Sequence, residues 1–339
     1  MSFDPILILG GSGAIGHQTV RAIQATYPDL PLLIGGRDLT RAQNAAAEFS
    51  GVEGVEIDAA SADLGLGQRK ISAVVVLYKD HSLAALRFAQ SRGVPHLSIS
   101  SGVFEIAPEI ASFMNAPGAA AVVLGYEWLV GATTVPALHL TKQFSQVHEI
   151  RIGALVDEED VGGPAVAADF EHLNHLLPAA LTRRDGVYLW REGSETKAVF
   201  SAVDGTQIDA TGFSSIDVVG LASATGAQSV RFDLGMGISS SRRKGGAFST
   251  EILINISGLG AEGETLCTRH AVVHPGGAAP LTGMGIALLL ERLVGLDGKP
   301  PVKAGLYFPY QIVDASHYLA RLAQEGGQLL ALPANPTSG

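Results

Sequence analysis

The sequence predicts an α/β protein: a doubly wound parallel sheet, an inserted α+β second domain, and C-terminal helices that return to the first domain. Three observations predict it. The opening "ILILGGSGAIGHQTVRAI" passes from a short apolar strand through a glycine cluster into an amphipathic helix. Apolar runs then alternate with helix-compatible stretches to about residue 140, which is how parallel strands covered on both faces read. From residue 144 the runs lengthen, alternate polar with apolar residues and gain β-branched side chains, the texture of a sheet with one wetter face.

"PILILG" is the first strand, and "IGHQTVRAIQAT" spaces Ile15, Thr19 and Ile23 along one helix face. Five further strands follow in "LPLLIGG", "GVEIDAA", "ISAVVVLY", "VPHLSIS" and "AAAVVLG", with helices such as "LTRAQNAAAEF" and "HSLAALRFAQSRG" between them. These six strands make a Rossmann-type domain over 1–143. Over 144–273, "VHEIRIGALV", "KAVFSAV", "SVRFDLG", "FSTEILINISG" and "TLCTRHAVVH" predict strands, and "AVAADFEHLNHLL" the one substantial helix of a second domain. The remainder, 274–339, returns to helix in "PLTGMGIALLLERLVG" and again in "LYFPYQIVDASHYLARLAQ"; "PANPTSG" reads as a frayed tail.

Composition narrows the function. A chain of 339 residues supports two folding units, and 47% apolar against 17% charged residues describes a packed globular enzyme-like protein. Net charge is −10, and the one dense basic patch is "SRRKGG" at 241–246, which argues against nucleic acid as a partner. The lone Cys267 cannot form an intramolecular disulfide and suits a reducing cytosol; its β-rich surroundings read as a strand cysteine, not a nucleophile. No run approaches the roughly 20 apolar residues of a membrane helix, and no basic segment precedes the N-terminal apolar residues. The expectation is a soluble cytoplasmic protein.

Gly11, Gly13 and Gly16 fit G-x-G-x-x-G, and Gly10, Gly13 and Gly16 fit G-x-x-G-x-x-G. The need for glycine is steric: a tight turn, close approach of a pyrophosphate, and close helix–strand packing. The loop Gly10, Gly11, Ser12, Gly13, Ala14, Ile15, Gly16 is therefore predicted to present N–H groups and a helix start to a dinucleotide. Which dinucleotide depends on the end of the second strand, "LLIGGRDLTR". An acid there binds a ribose 2′-hydroxyl, whereas a 2′-phosphate needs a cation. Gly36 stands where the acid is expected and Arg37 follows, which favours NADP(H), with Arg41 as a second cation. The alternative gives the ribose to Asp38 and leaves Arg37 in solvent. Asp58, after the third strand, either meets the adenine or is a solvated turn acid. Tyr78 and Lys79, in "YKDHS" after the fourth strand, lie where the nicotinamide is expected.

"ILGGSGAIG", "IGGRDLTRAQNAAAEF", "AVVVLYKDHSLAALRFAQSRGVPHLSIS", "VVLGYEWLVG" and "AGLYFPYQIVD" together resemble the saccharopine dehydrogenase-like family of NAD(P)-binding oxidoreductases. The resemblance implies a dinucleotide domain interrupted by a substrate and dimerisation domain, with the chain's end returning to the first, and a homodimer formed through the second. Two segments depart from the family pattern. "YKDH" stands where a glycine-proline is common, and "EWLVG" where an aspartate-proline-glycine is common, so the substrate is expected to differ from saccharopine or lysine. Short-chain dehydrogenases are disfavoured, because no tyrosine here has a lysine four residues on.

Reducing an imine or carbonyl needs one acid near the nitrogen or oxygen. Lys79 and His81 are candidates, as are Tyr126 and Glu127 at the end of the sixth strand, Glu127 also as a grip for a substrate amine. Each has a plainer reading as a loop residue. Asp157 to Asp160 read as a solvated loop, and Gly162 and Gly163 as the border of a substrate cleft. His172 and His175, with Glu171, have a spacing that can hold a metal, but no third ligand is recognisable and no metal is expected. Arg242, Arg243 and Lys244 either pair with a substrate carboxylate or form a solvated turn, and His274 is a hinge residue. The expected function is an NADP(H)-dependent oxidoreductase acting on a C=N or C=O bond of an amino-acid-like or imine metabolite. The alternative is a non-catalytic NADP(H)-binding regulator or scaffold.

Overall fold

The computed structural model describes residues 3–99, 102, 103, 106–160, 162 and 179–333. The chain forms two compact units, Met1–Tyr126 with Thr282–Val313, and Glu127–Leu281 with Asp314–Gly339. Strands are numbered along the chain.

The first unit is built on β1 (Ile6–Leu9), β2 (Leu32–Gly36), β3 (Val52–Glu56), β4 (Ala73–Val76), β5 (His96–Ser98), β6 (Ala121–Leu124) and β15 (Gly305–Tyr307). They lie in the order β15-β6-β5-β4-β1-β2-β3, every ladder parallel. The chain runs outward from β1 to β3, then crosses back to β4 on the other side of β1, so a topological switch point lies between β1 and β4. Helices α1 (Ala14–Thr26), α2 (Leu39–Ala46), α3 (Ala84–Arg92) and α4 (Ala107–Asn115) follow β1, β2, β4 and β5. The four residues of β1 and the four of β4 are all buried, because a parallel sheet covered by helices has no wet face. Each such Val, Leu or Ile contributes roughly 1.5–3 kcal/mol by burial. Gly283 explains why small residues open the helix Ala278–Val294: a Cβ there would lie 2.7 Å from the Gln18 carbonyl carbon of α1.

The six predicted parallel strands are present, and β15 adds a seventh from the far end of the chain. Three residues carry no measurable period, so "LYFPYQIVDASHYLARLAQ" reads as helix throughout when only Ala315–Gln324 is α-helical.

The second unit is a nine-stranded sheet of β7 (Gln146–Asp157), β8 (Ala180–Arg184), β9 (Val187–Arg191), β10 (Lys197–Ser201), β11 (Gln207–Gly212), β12 (Ser229–Gly237), β13 (Thr250–Leu259), β14 (Thr265–His274) and β16 (Gln328–Leu332). Its order is β10-β11-β12-β7-β13-β14-β16, with the β8–β9 hairpin joined through β12. All ladders are antiparallel except β7–β12. One face of this sheet packs on an aromatic group in which Trp128, Phe213 and Phe232 have ring centroids 5.5–5.8 Å apart. The predicted helix "AVAADFEHLNHLL", with Glu171, His172 and His175, and Gly163 before it, lies outside the described residues. No helix among the described residues is long and apolar enough to cross a membrane.

Candidate dinucleotide site

Gly10 leaves β1 with φ +82°, a left-handed conformation open to glycine at little cost. Three loop N–H groups are used within the protein: Gly10 donates to Gly35 O, Gly11 to Ile8 O and Gly13 to Gly10 O, at 3.1–3.3 Å. The N–H groups of Ser12, Ala14, Ile15 and Gly16 have no acceptor among the described residues. Gly13 is the N-cap of α1 and supplies no side-chain cap, and the first turn holds no acid, so the positive end of the helix is bare. The other glycines set the shape. A Cβ on Gly16 would fall 2.4 Å from the Gly11 Cα, and one on Gly11 would touch Ile34 at 3.1 Å. On Gly13 it would meet nothing nearer than 3.4 Å. A cradle of bare amides beside an open glycine fits a diphosphate.

At the end of β2, Arg37 and Arg41 are exposed, and neither guanidinium has a hydrogen-bond or ion-pair partner among the described residues. Asp38 is already used, as the N-cap of α2 accepting from the Arg41 N–H at 3.0 Å. The Asp58 carboxylate turns back on its own loop to accept from the Ala60 N–H at 2.9 Å. Tyr78 lies against Gly10, its Cδ1 3.1 Å from where a Cβ would stand. Burial, then the charge of Asp80, raises the Tyr78 phenol pKa, while Arg37 opposes both; the three groups share one neighbourhood beside the glycine loop. Lys79 is half-buried and His81 exposed. Between them and α3, Asp80 accepts from Ser82 N and Oγ and from Ala85 N at 2.7–3.1 Å, fixing the loop after β4.

Beyond the ends of β5 and β6 sits a buried polar group that local sequence does not announce. The Tyr126 hydroxyl donates to Glu109, Ser98 Oγ donates to the same carboxylate at 3.1 Å, and the two hydroxyls are 2.6 Å apart. His96, in β5, is fully buried and its Nδ1 has no hydrogen-bond partner among the described residues. Burial lowers its pKa to about 4 against the weaker pull of Asp80, so it is neutral at pH 7. Polar residues at alternate positions of "HLS" were the one available signal; nothing in Glu109's own helix points to its partners.

Solved structures share this architecture. Saccharopine dehydrogenase (L-Glu forming) from Saccharomyces cerevisiae aligns over 97% of this chain and 99% of its own, at 15% identity and a TM-score of 0.66. The chain has the saccharopine dehydrogenase fold. Homospermidine synthase from Legionella pneumophila, solved in complex with NAD, aligns over 98% of this chain and 92% of its own, at 9% identity and a TM-score of 0.66. No family model and no curated protein sequence matches the chain.

In the second unit of this saccharopine dehydrogenase fold, Glu127 is buried and accepts from the Thr134 hydroxyl. The turn that follows holds Leu129, Val130 and Gly131 at φ +49°, +56° and +90°, a run of left-handed residues that costs of order 1–2 kcal/mol for each non-glycine. Two bonds impose it: Val130 N donates to Glu127 O at 2.8 Å, and Trp128 N donates to the buried Asp217 carboxylate at 2.8 Å. The expected solvated loop at Asp157 is instead an anchor. Asp157 is buried and accepts from Ser239 N and Glu159 N, and Arg242 pairs with it at 2.6 Å. Burial pushes its pKa up, but these bonds outweigh it and hold the carboxyl at about 2. Arg243 pairs with Asp204 at 2.7 Å. The two arginines therefore serve internal carboxylates, and neither is a bare grip for a substrate; Lys244 is exposed. Gly162 is exposed, and Cys267 lies exposed in β14. The His274 Nδ1 accepts from Gly276 N at 3.1 Å.

Proposed function

We propose that the chain is an NADP(H)-dependent oxidoreductase acting on a C=N or C=O bond of an amino-acid-like or imine metabolite. The observation that carries the cofactor reading is the end of β2: glycine in place of an acid, an uncommitted Arg37 guanidinium, and Asp38 already engaged as a helix cap. In this reading the amides of Gly10, Gly11, Ser12, Gly13, Ala14, Ile15 and Gly16 surround the diphosphate, Arg37 and Arg41 grip the 2′-phosphate, and the Asp58 loop borders the adenine. Tyr78 and Lys79 border the nicotinamide, which when bound supplies or accepts the hydride. The NAD complex of homospermidine synthase, with the same fold, supports a nicotinamide dinucleotide as the ligand class.

Around the reacting bond, Tyr126 or Lys79 holds the proton that moves to or from nitrogen or oxygen, and the Glu127 carboxylate opposes a substrate amine. Tyr126 is suited to this by its fixed hydroxyl, gripped by Ser98 and Glu109.

Arg37→Ala is expected to weaken NADPH binding about 10- to 100-fold and leave NADH binding within about twofold, since a charge-assisted phosphate contact is worth roughly 1.5–3 kcal/mol. Fluorescence titration with both cofactors measures this, and an unchanged NADPH preference removes the assignment. One observation favours the second reading, a non-catalytic NADP(H)-binding regulator: Tyr126 and Glu127 both make buried internal hydrogen bonds. Tight NADPH binding without turnover across imines, keto acids and amines would select it.

A further inference from the structure

Hydride chemistry at a C=N or C=O bond moves one proton per turnover, and Tyr126 alone cannot manage it. A tyrosine hydroxyl holds a single proton. That of Tyr126 is donated to the Glu109 carboxylate, so the phenol has no second proton for a substrate.

Glu109 lies in the first turn of α4 and is 5% exposed; Ser98 and Tyr126 are buried with it. Ser98 Oγ donates to the same carboxylate at 3.1 Å and stands 2.6 Å from the Tyr126 hydroxyl. α4 is itself tied to α3: Gln90 Nε2 donates to Ser112 O, and Ser112 Oγ donates to Gln90 Oε1, both at 3.2 Å. An amide or a hydroxyl in place of Glu109 would fix the phenol equally well. A buried carboxyl costs more than either and adds the one property they lack, exchange of a proton. Both of its forms have support, since burial favours the neutral acid, whereas a helix's first turn and two donated hydroxyls favour the carboxylate.

We propose that Glu109 is the proton store of the reaction and that Tyr126 relays its proton, an inference that rests on the oxidoreductase reading. In the reducing direction the substrate carbon takes hydride from the cofactor and the π pair moves to nitrogen or oxygen. That atom takes the proton of the Tyr126 hydroxyl, Tyr126 takes the proton of neutral Glu109, and the carboxylate recovers one from solvent. Oxidation runs the same two transfers backwards. Tyr126 keeps a proton throughout, so no phenolate forms beside a carboxylate. Glu109 is thus a positioning and proton-storing residue that acts through Tyr126. The other charged groups of the neighbouring elements stand outside the exchange. His96 shares the Ser98 side of β5 by alternation, and burial, against the pull of Asp80, holds its pKa at about 4. On α3, Arg87 is exposed and Arg92 donates to Gly67 O.

Infrared difference spectra of the full chain between about pH 5 and about pH 9 test the store directly. A carboxyl C=O band is expected that Glu109→Gln removes and Tyr126→Phe shifts. Asp217 titrates in the same range, and the Glu109→Gln difference separates the two. In turnover, Glu109→Gln and Tyr126→Phe are each expected to lower kcat about 100-fold or more, and Glu109→Gln to abolish the pH limb of kcat that the parent shows. Glutamine keeps an acceptor for both hydroxyls, so its NADPH titration is expected to match the parent's. The double variant is expected to lie within about threefold of the slower single one, because the pair acts as a unit. Absence of the band, a band indifferent to Tyr126→Phe, or Glu109→Gln with kcat within about threefold of the parent overturns the relay. A parent that turns over no imine, keto acid or amine defeats the oxidoreductase reading, and the relay with it, but leaves the infrared band in place, so the two failures are told apart.

Discussion

Gly16→Ala is expected to destabilise the first unit by about 3 kcal/mol or more and to abolish dinucleotide binding. The added methyl would stand 2.4 Å from both the Cα and the carbonyl oxygen of Gly11. Those atoms are backbone, so no rotamer change relieves the clash. The glycine loop and α1 must separate, and the bare amides of Ser12, Ala14, Ile15 and Gly16 lose their common aim. Gly13→Ala is the informative companion. Gly13 has φ −91° and ψ 172°, which any residue adopts, and its new methyl would meet nothing nearer than 3.4 Å. Its unfolding free energy is expected to change by no more than about 0.5 kcal/mol. NADPH binding should nevertheless weaken about tenfold or more, because the methyl occupies the side from which a diphosphate approaches. Unfolding curves and cofactor titrations of the two variants separate a structural from a recognition role. A Gly16→Ala protein that folds and binds like the parent would remove the steric account of the loop, and a Gly13→Ala protein with parental affinity would move the diphosphate elsewhere.

What the sequence makes legible is whatever depends on neighbours. The strand at Ile6–Leu9, the turn at Gly10 and the helix from Ala14 follow from apolar run, glycine sterics and helical period within twenty residues, and the structure has all three. The end of β2 was readable for the same reason: Gly36, Arg37 and Asp38 are consecutive. The parts that were not readable are made by long-range meetings. Trp128 and Asp217 bond across 89 positions, and Arg242 and Asp157 across 85, so a basic turn and an acidic run each look solvated when read alone. Ser98, Glu109 and Tyr126 converge from one strand end, one helix and one loop, with nothing periodic to announce it. β15 and β16 were missed because three and five residues at the chain's end become strands only when an existing sheet edge offers them partners.

Asp217→Asn is expected to lose ground to the parent as pH falls, by roughly 2 kcal/mol between about pH 7 and about pH 4. Asp217 is completely buried. Burial raises its carboxyl to about 6, against hydrogen bonds from Ser215 and Trp128 that favour the charged form. An acid whose folded pKa lies above its unfolded value of 3.8 takes up a proton on folding in the window between them. Its stabilising contribution is complete below about 3.8 and is lost as pH rises through about 6. Asparagine has no such step. His96 works in the opposite direction, with a folded value near 4 below its ordinary 6.5, so it removes stability as pH falls across the same window. Because parent and variant share His96, urea unfolding of both at matched pH isolates Asp217 in the difference, and a difference that stays flat would show that the carboxyl does not titrate there. At neutral pH the charged Asp217 carboxylate thus stabilises the fold less than its protonated form does at low pH, yet it accepts the Trp128 N–H that fixes the left-handed Leu129–Gly131 turn. Its place is best explained by the geometry of the turn it reaches from 89 positions away: the backbone that follows Glu127 is held in a left-handed conformation it would not adopt unaided.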